Sequence, residues 1–389
     1  MERSRKILGC GVVLMIMAPI FLGMQAIPYQ YRTNLDIRVS TLPAPVVIDG
    51  KQVIYYELIA TNFGTDTIRL KTLTVSGTGN GARFAVLDEE DLKKRACRIG
   101  TQGARYTDTL LPGSSSVIYL EVALANKRVG ADRLAHRLRF ETTVGSNHRM
   151  DSVLVTVPVS GAAAPVIGPP LGKGNWAAVY EPSWRTGHRR VIYTVEGRAR
   201  IPGRYAIDFI QLDRNGRLAH GDDNQVKDWY GYGADVLAVA DGIIAAVRTD
   251  FLETPTVAGR ERVTAERATG NYVSIDLGNN TYAFYEHLKP GSIRVRAGQK
   301  VKKGQIIGSL GFTGQSNGPH LHFHLADKNS PLGAEGIPFC FDRFTWLGSY
   351  SEIDSLGRSP WVPVGRDVKS VRRRERPVAN SVIAWVASS

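Results

Sequence analysis

Between Asn34 and Pro158, apolar and polar positions alternate over short runs broken by turn residues. Asn34–Ser40, Gln52–Thr61, Ser116–Ala125, Leu138–Val144 and Ser152–Val157 are rich in β-branched and aromatic residues. That is the period-2 pattern of half-buried strands. Asn80-Gly81 and Pro112-Gly113 punctuate them as turns. Further along, Val236–Val247 and Val295–Gly311 carry alternating Val and Ile with glycines between them. A small barrel or sandwiched sheet turns its corners with glycines placed in this way. No convincing amphipathic helix interrupts these runs, so the chain is predicted to be mainly β.

Strands at this spacing predict an immunoglobulin-like β-sandwich over residues 27–160. His136 and His148 fall within it and read as ordinary core or surface residues. Residues 161–174, GAAAPVIGPPLGKG, read as a linker or an ordered strap. A second β domain follows over 175–350. Residues 351–389 read as a basic C-terminal tail, with the run Arg372-Arg373-Arg374-Glu375-Arg376 solvated. At the other end, Glu2-Arg3-Ser4-Arg5-Lys6 precedes an uncharged apolar stretch, residues 7–26. This describes a secretory signal peptide or an uncleaved membrane anchor. Either reading exports the rest of the chain to the periplasm or cell envelope, and export argues against a nucleic-acid partner.

Charge adds a preference for surfaces. The 389 residues include 49 Lys and Arg against 36 Asp and Glu, a net +13. That favours contact with an anionic membrane or wall polymer. Three cysteines without a CxxC pair exclude structural zinc fingers and thioredoxin-type sites. Cys97 and Cys340 can form a disulfide only if the fold brings them together. There is no Ser/His/Asp nucleophile elbow and no phosphate-cradling loop.

The densest chemistry is Gly318-Pro319-His320-Leu321-His322-Phe323-His324. On a strand, alternate residues share a face. His320, His322 and His324 then point one way, and Leu321 and Phe323 the other. Imidazoles so placed can serve one metal centre, one as ligand and one as its neighbour. Asp208, inside the apolar run Tyr205-Ala206-Ile207-Asp208-Phe209, is a buried charge that needs a partner or a metal. His287 closes a β-run in Tyr285-Glu286-His287-Leu288, just before the Pro290-Gly291 turn.

Taken together and in order, Ala206-Ile207-Asp208-Phe209, Tyr285-Glu286-His287-Leu288, Gly304-Gln305-Ile306-Ile307-Gly308 and Gly318-Pro319-His320-Leu321-His322-Phe323 resemble the lysostaphin/LytM-type zinc endopeptidases of bacterial peptidoglycan. The resemblance spans roughly Arg189 to Leu325. It implies a LytM-like antiparallel β domain, a barrel-sandwich hybrid, with one zinc in a groove that takes peptidoglycan stem peptides or cross-bridges. Asp208 and His322 match two of its ligands. His287 and His320 match its two non-ligand, catalytic histidines. The family's first ligand is a histidine four residues before the aspartate, where this chain has Arg204, and arginine cannot ligate. A hairpin centred on Gly197 would set position 188 opposite 206, so His188 is the replacement ligand candidate. His220, near Asp222, Asp223 and Asp228, is the second candidate. Tyr230 and Tyr232 are candidate substrate contacts, as is Arg204. The alternative is a retired centre in which Arg204 pairs with Asp208, so that the domain only binds wall or regulates another hydrolase.

Overall fold

The computed structural model describes residues 33–79, 81–101, 105–124, 132–365 and 368–386. The stretch 7–26 lies outside them. Among the described residues no helix is long and apolar enough to cross a membrane.

The predicted N-terminal strands form as Leu35–Val39, Lys51–Asn62, Ser115–Leu124, Arg133–Val144 and Asn147–Pro158. They sort into two antiparallel sheets, one around Lys51–Asn62 and one around Arg133–Val144. Ile54, Tyr56 and Leu58 from the first sheet meet Leu70, Leu73 and Phe140 from the second in one dry core. One short helix, Glu89–Arg95, escapes the periodicity reading because it spans barely two turns. Its end signals are nonetheless plain. Asp88 caps the Asp91 amide, acids fill the first turn and bases the last.

The second domain is built on one large open sheet. Its central order runs Ser381–Trp385, Asn175–Val179, Ile207–Leu212, Leu321–Ala326, Tyr282–Glu286, Tyr272–Asp276. Its two end strands, Val166–Ile167 and Lys300–Val301, do not pair with each other, so the expected barrel closure is absent. The expected strap is ordered. Val166–Ile167 runs parallel to Cys340–Ser349, and Leu171 bridges to Val236.

The expected solvated tail is instead part of the sheet. Val371–Glu375 pairs with Cys340–Ser349, and Ser381–Trp385 lies between that strand and Asn175–Val179. Arg376 is 1% exposed, its guanidinium over the rings of Tyr180 and Phe339. Arginine stems and planar heads pack on aromatics, which a charge count alone does not reveal.

The two halves share a core. Val46, Ile48 and Tyr55 of the sandwich pack in one cluster with Ile167, Tyr180, Tyr205, Phe339 and Cys340. Cys97 and Cys340 are both buried free thiols.

Candidate metal centre

Strand register builds the site. Asp208 stands directly opposite His322, and His322 directly opposite Glu286, so these three form one row across adjacent strands. Directly opposed side chains share a face with Cβ atoms about 5 Å apart. Alternation sends Leu321, Phe323 and Leu325 to the other face, where they are fully buried. A polar row is therefore fixed to a rigid hydrophobic sheet.

The Asp208 carboxylate lies 2.9 Å from His322 Nδ1, 3.5 Å from His320 Nε2 and 3.4 Å from His188 Nε2. His188 and His322 meet edge-on, ring centres 4.5 Å apart. Donor atoms of His188, Asp208 and His322 all fall within 4.8 Å of one another. Two imidazoles and a carboxylate are a donor set that zinc takes, and three protein ligands leave a position for water or substrate.

Protonation suits ligation at Asp208 and His188, while at His322 the carboxylates of Glu286 and Asp208 outweigh burial and raise the imidazole above its ordinary value, so a metal would have to displace a proton there. Burial alone would raise the Asp208 carboxyl, but the facing His188 and His320, with hydrogen bonds from His320 and His322, hold it well below the usual range. Enclosure lowers His188 more than Asp208 raises it, so its imidazole is neutral at pH 7. The tautomers of the neighbouring rings follow from their carbonyl partners, which only accept. His287 Nδ1 donates to the Thr313 carbonyl at 2.8 Å, and His320 Nδ1 to the Gly318 carbonyl at 2.8 Å. The neutral His287 ring thus keeps Nε2 unprotonated, whereas His320 turns its Nε2 toward Asp208. Burial, reinforced by His320 and His322, pushes His287 well down. His287 also sits at φ 63°, a left-handed conformation unusual for a residue other than glycine and often found at functional sites.

Behind the row, His322 Nε2 is 3.1 Å from His324 Nδ1, and His324 stacks on Phe284 with ring centres 4.9 Å apart. His324 therefore backs His322. Such an outer partner fixes the orientation of a ligating imidazole.

The route by which His188 arrives differs from the hairpin expectation. A two-residue turn at Glu196 and Gly197, both at positive φ, pairs Val195 with Arg198, one register step from that expectation. The hairpin ends after three pairs, at Tyr193 and Arg200. His188 lies beyond it in a 3-10 turn, His188–Arg190, nested against a second turn, Pro202–Tyr205. Gly203 permits the approach, since a Cβ there would lie 2.8 Å from His188 Cβ.

Arg204 is not in the centre. Its guanidinium is turned into the domain interface, Nε 2.9 Å from Glu57 and Nη1 2.7 Å from Glu335, with 1% of the side chain exposed. Arg204 stands in the groove wall, but its guanidinium is taken up by Glu57 and Glu335, so the Arg204–Asp208 pair of the retired-centre alternative does not form. His220 is exposed and lies beside Asp228, 3.7 Å away. Tyr232 donates to Glu253 beneath Lys289, and Tyr230 stands against His220. Neither tyrosine lines the groove. Its walls are instead Tyr180, Trp184 and Trp229, around a volume of about 500 Å³ that includes His188, His287 and His320. Trp184 gave no pattern in the sequence. Glu57 did, as an acid inside the apolar run Tyr55-Tyr56-Glu57-Leu58, the same signal as Asp208.

The β-sheet face thus gathers two imidazoles and a carboxylate that could hold a metal ion, with two further histidines beside them. Residues 228–333 match the family described as Peptidase family M23, and the chain carries a domain of this family, of the lysostaphin/LytM type. A 65-residue stretch is 48% identical to peptidoglycan DD-endopeptidase ShyA of Vibrio cholerae, covering 17% of this chain and 15% of that protein. ShyC of the same organism is 31% identical over 143 residues, 34% of this chain and 29% of its own length. The glycyl-glycine endopeptidase ALE-1 of Staphylococcus capitis is 33% identical over 141 residues, 34% of this chain and 38% of its own. The chain thus spans well under half the length of the curated relatives it matches. His287, His320 and His322 fall inside the family match, whereas His188 and Asp208 lie upstream of it.

Proposed function

We propose that the protein is an exported, zinc-dependent endopeptidase that hydrolyses peptide bonds of peptidoglycan. The observation that carries the reading is the meeting of His188 Nε2, Asp208 and His322 Nδ1 at one point of a groove that also holds His287 and His320. Zinc held there supplies a Lewis acid for the scissile carbonyl and lowers the pKa of its water toward about 7. His287, anchored through Nδ1, offers Nε2 to take a proton from the attacking water and return it to the leaving amine, and His320 stands beside it with Nε2 toward Asp208. Trp184 and Trp229 flank the groove and orient the peptide. Asp208, held ionised, keeps the neighbouring rings in place. The net charge of +13 keeps the enzyme near an anionic envelope, and residues 7–26 export it or anchor it there.

The test is zinc content and muropeptide hydrolysis of the purified full chain. Zinc near one equivalent is expected, lost in Asp208→Ala and His322→Ala. His287→Ala and His320→Ala should retain zinc and lose turnover. Hydrolysis that survives Asp208→Ala, or zinc absent from the wild type in non-chelating buffer, would overturn the reading.

A further inference from the structure

Asp208 and His322 are neighbours on the sheet, but His188 is not on that sheet. It belongs to an arm, residues 181–192, whose backbone hydrogen bonds outside strands are internal: Trp184 to Glu181, Arg190 to Gly187 and Val191 to His188. What fastens the arm is the N-terminal sandwich. Arg189, next to His188, donates from Nε to Glu57 and from Nη1 to Glu121, each at 2.8 Å. Its Nη2 donates to the carbonyls of Tyr56 and Leu120, also at 2.8 Å. Arg190 lies on the ring of Tyr119, 3.7 Å from its centre, and Tyr106 donates to the Arg185 carbonyl at 2.9 Å. Every one of these sandwich residues precedes the linker.

Glu57 does more than hold the arm. Its second oxygen accepts from Arg204 Nε at 2.9 Å, in the turn that leads into the strand of Asp208. This carboxylate is fully buried. Burial works against its charge, and the two arginines outweigh burial to keep it ionised. One sandwich side chain therefore grips both the segment carrying His188 and the segment delivering Asp208, 132 and 147 residues away along the chain.

We propose that the N-terminal sandwich is a structural part of the metal centre, with Glu57 as the positioning residue that sets His188 within ligating reach of Asp208 and His322. This rests on the zinc reading above. Among the contacts that fasten the arm, the one to Glu57 alone also reaches the segment of Asp208, and removing its charge leaves Arg189 and Arg204 facing each other without their shared counter-ion. The arm then loosens and the centre falls back on two ligands.

Zinc affinity of the full chain, measured by competition with a chromogenic chelator, tests this, with the cobalt(II) absorption spectrum as a second readout. Glu57→Gln is expected to weaken zinc about 10- to 100-fold, the range seen when an outer support of a metal ligand is lost, and to shift the cobalt bands as His188→Ala does. The double variant Glu57→Gln/His188→Ala should lose much less than the two single losses combined, because Glu57 acts largely through His188. Asp49→Asn is the control. It breaks the interdomain pair to Arg372, 2.9 Å long, without touching the arm, and should leave affinity unchanged. If circular dichroism shows Glu57→Gln unfolded, Arg189→Lys replaces it, losing the bonds to the Tyr56 and Leu120 carbonyls. Wild-type affinity in the folded variant, or losses that add in the double variant, would overturn the proposal. Absence of zinc from the wild type would instead overturn the reading beneath it.

Discussion

Replacing Arg204 by histidine separates the sequence pattern from the spatial arrangement. By pattern, Arg204→His restores a missing ligand and should strengthen metal binding. By structure, it removes a buried cation from between two carboxylates. Arg204 bonds Glu57 at 2.9 Å, Glu335 at 2.7 Å and the Gly336 carbonyl at 3.3 Å. A neutral imidazole is too short and has too few donors to serve all three. Breaking a buried ion pair by removing one partner costs about 3–5 kcal/mol. Glu57 retains Arg189 at 2.8 Å and Glu335 retains Arg200 at 3.5 Å, which places the cost at the lower end, about 3 kcal/mol. For the compact unit Thr33–Ser389 that is a fall in melting temperature of about 4 °C. Calorimetry of the full chain in chelator isolates the effect from metal linkage. Zinc content of His188→Ala with and without Arg204→His completes the experiment. An unchanged or raised melting temperature, or zinc regained when Arg204→His is added to His188→Ala, would refute this account of the interface.

Two further outcomes follow from local geometry. Gly203→Ala places a methyl 2.8 Å from His188 Cβ and 3.2 Å from its carbonyl oxygen. The overlap costs about 1–3 kcal/mol, and displacement of the arm should weaken zinc at least about 10-fold in chelator competition; unaltered affinity would mean that the arm is not held where it lies. His136, buried in the sandwich with Nε2 2.7 Å from the Tyr56 hydroxyl, is pushed by burial from 6.5 down to about 4. The unfolded chain accepts this proton between those values and the fold refuses it, so stability present above pH 6.5 is lost as pH falls toward 4, by up to about 3 kcal/mol. Urea midpoints at pH 7 and 4.5 should differ less in His136→Gln than in the wild type, and equal differences would contradict the assignment.

The strand scaffold and the shared face of His322 and His324 were legible because both depend on a local period, whereas the row that Asp208, His322 and Glu286 form across three strands was not. Alternation predicts which face His322 takes, and an acid within Ile207-Asp208-Phe209 stands out against its neighbours. His188 was legible as a residue but not as a path. The hairpin register fails by one step because Glu196 and Gly197 form a two-residue turn, and the remaining distance is covered by 3-10 turns that leave no periodic mark. Arg204 read as a vacancy in the centre because its partners, Glu57 and Glu335, are 147 and 131 positions away. The Arg372–Arg376 run misled for a related reason, since ring stacking and a place in a sheet depend on Tyr180, Trp346 and Phe339 arriving from elsewhere.

Glu57 has a consequence for protein engineering and for evolution. A chain of two halves invites recombination, one half being spliced to a half of another protein. Here a cut near Gly168 would strand Arg189 and Arg204, two cations without their common anion, inside the transplanted half. Any viable chimera must therefore bring along the front module or change both arginines at once, so the two halves of this chain are expected to be inherited as a pair.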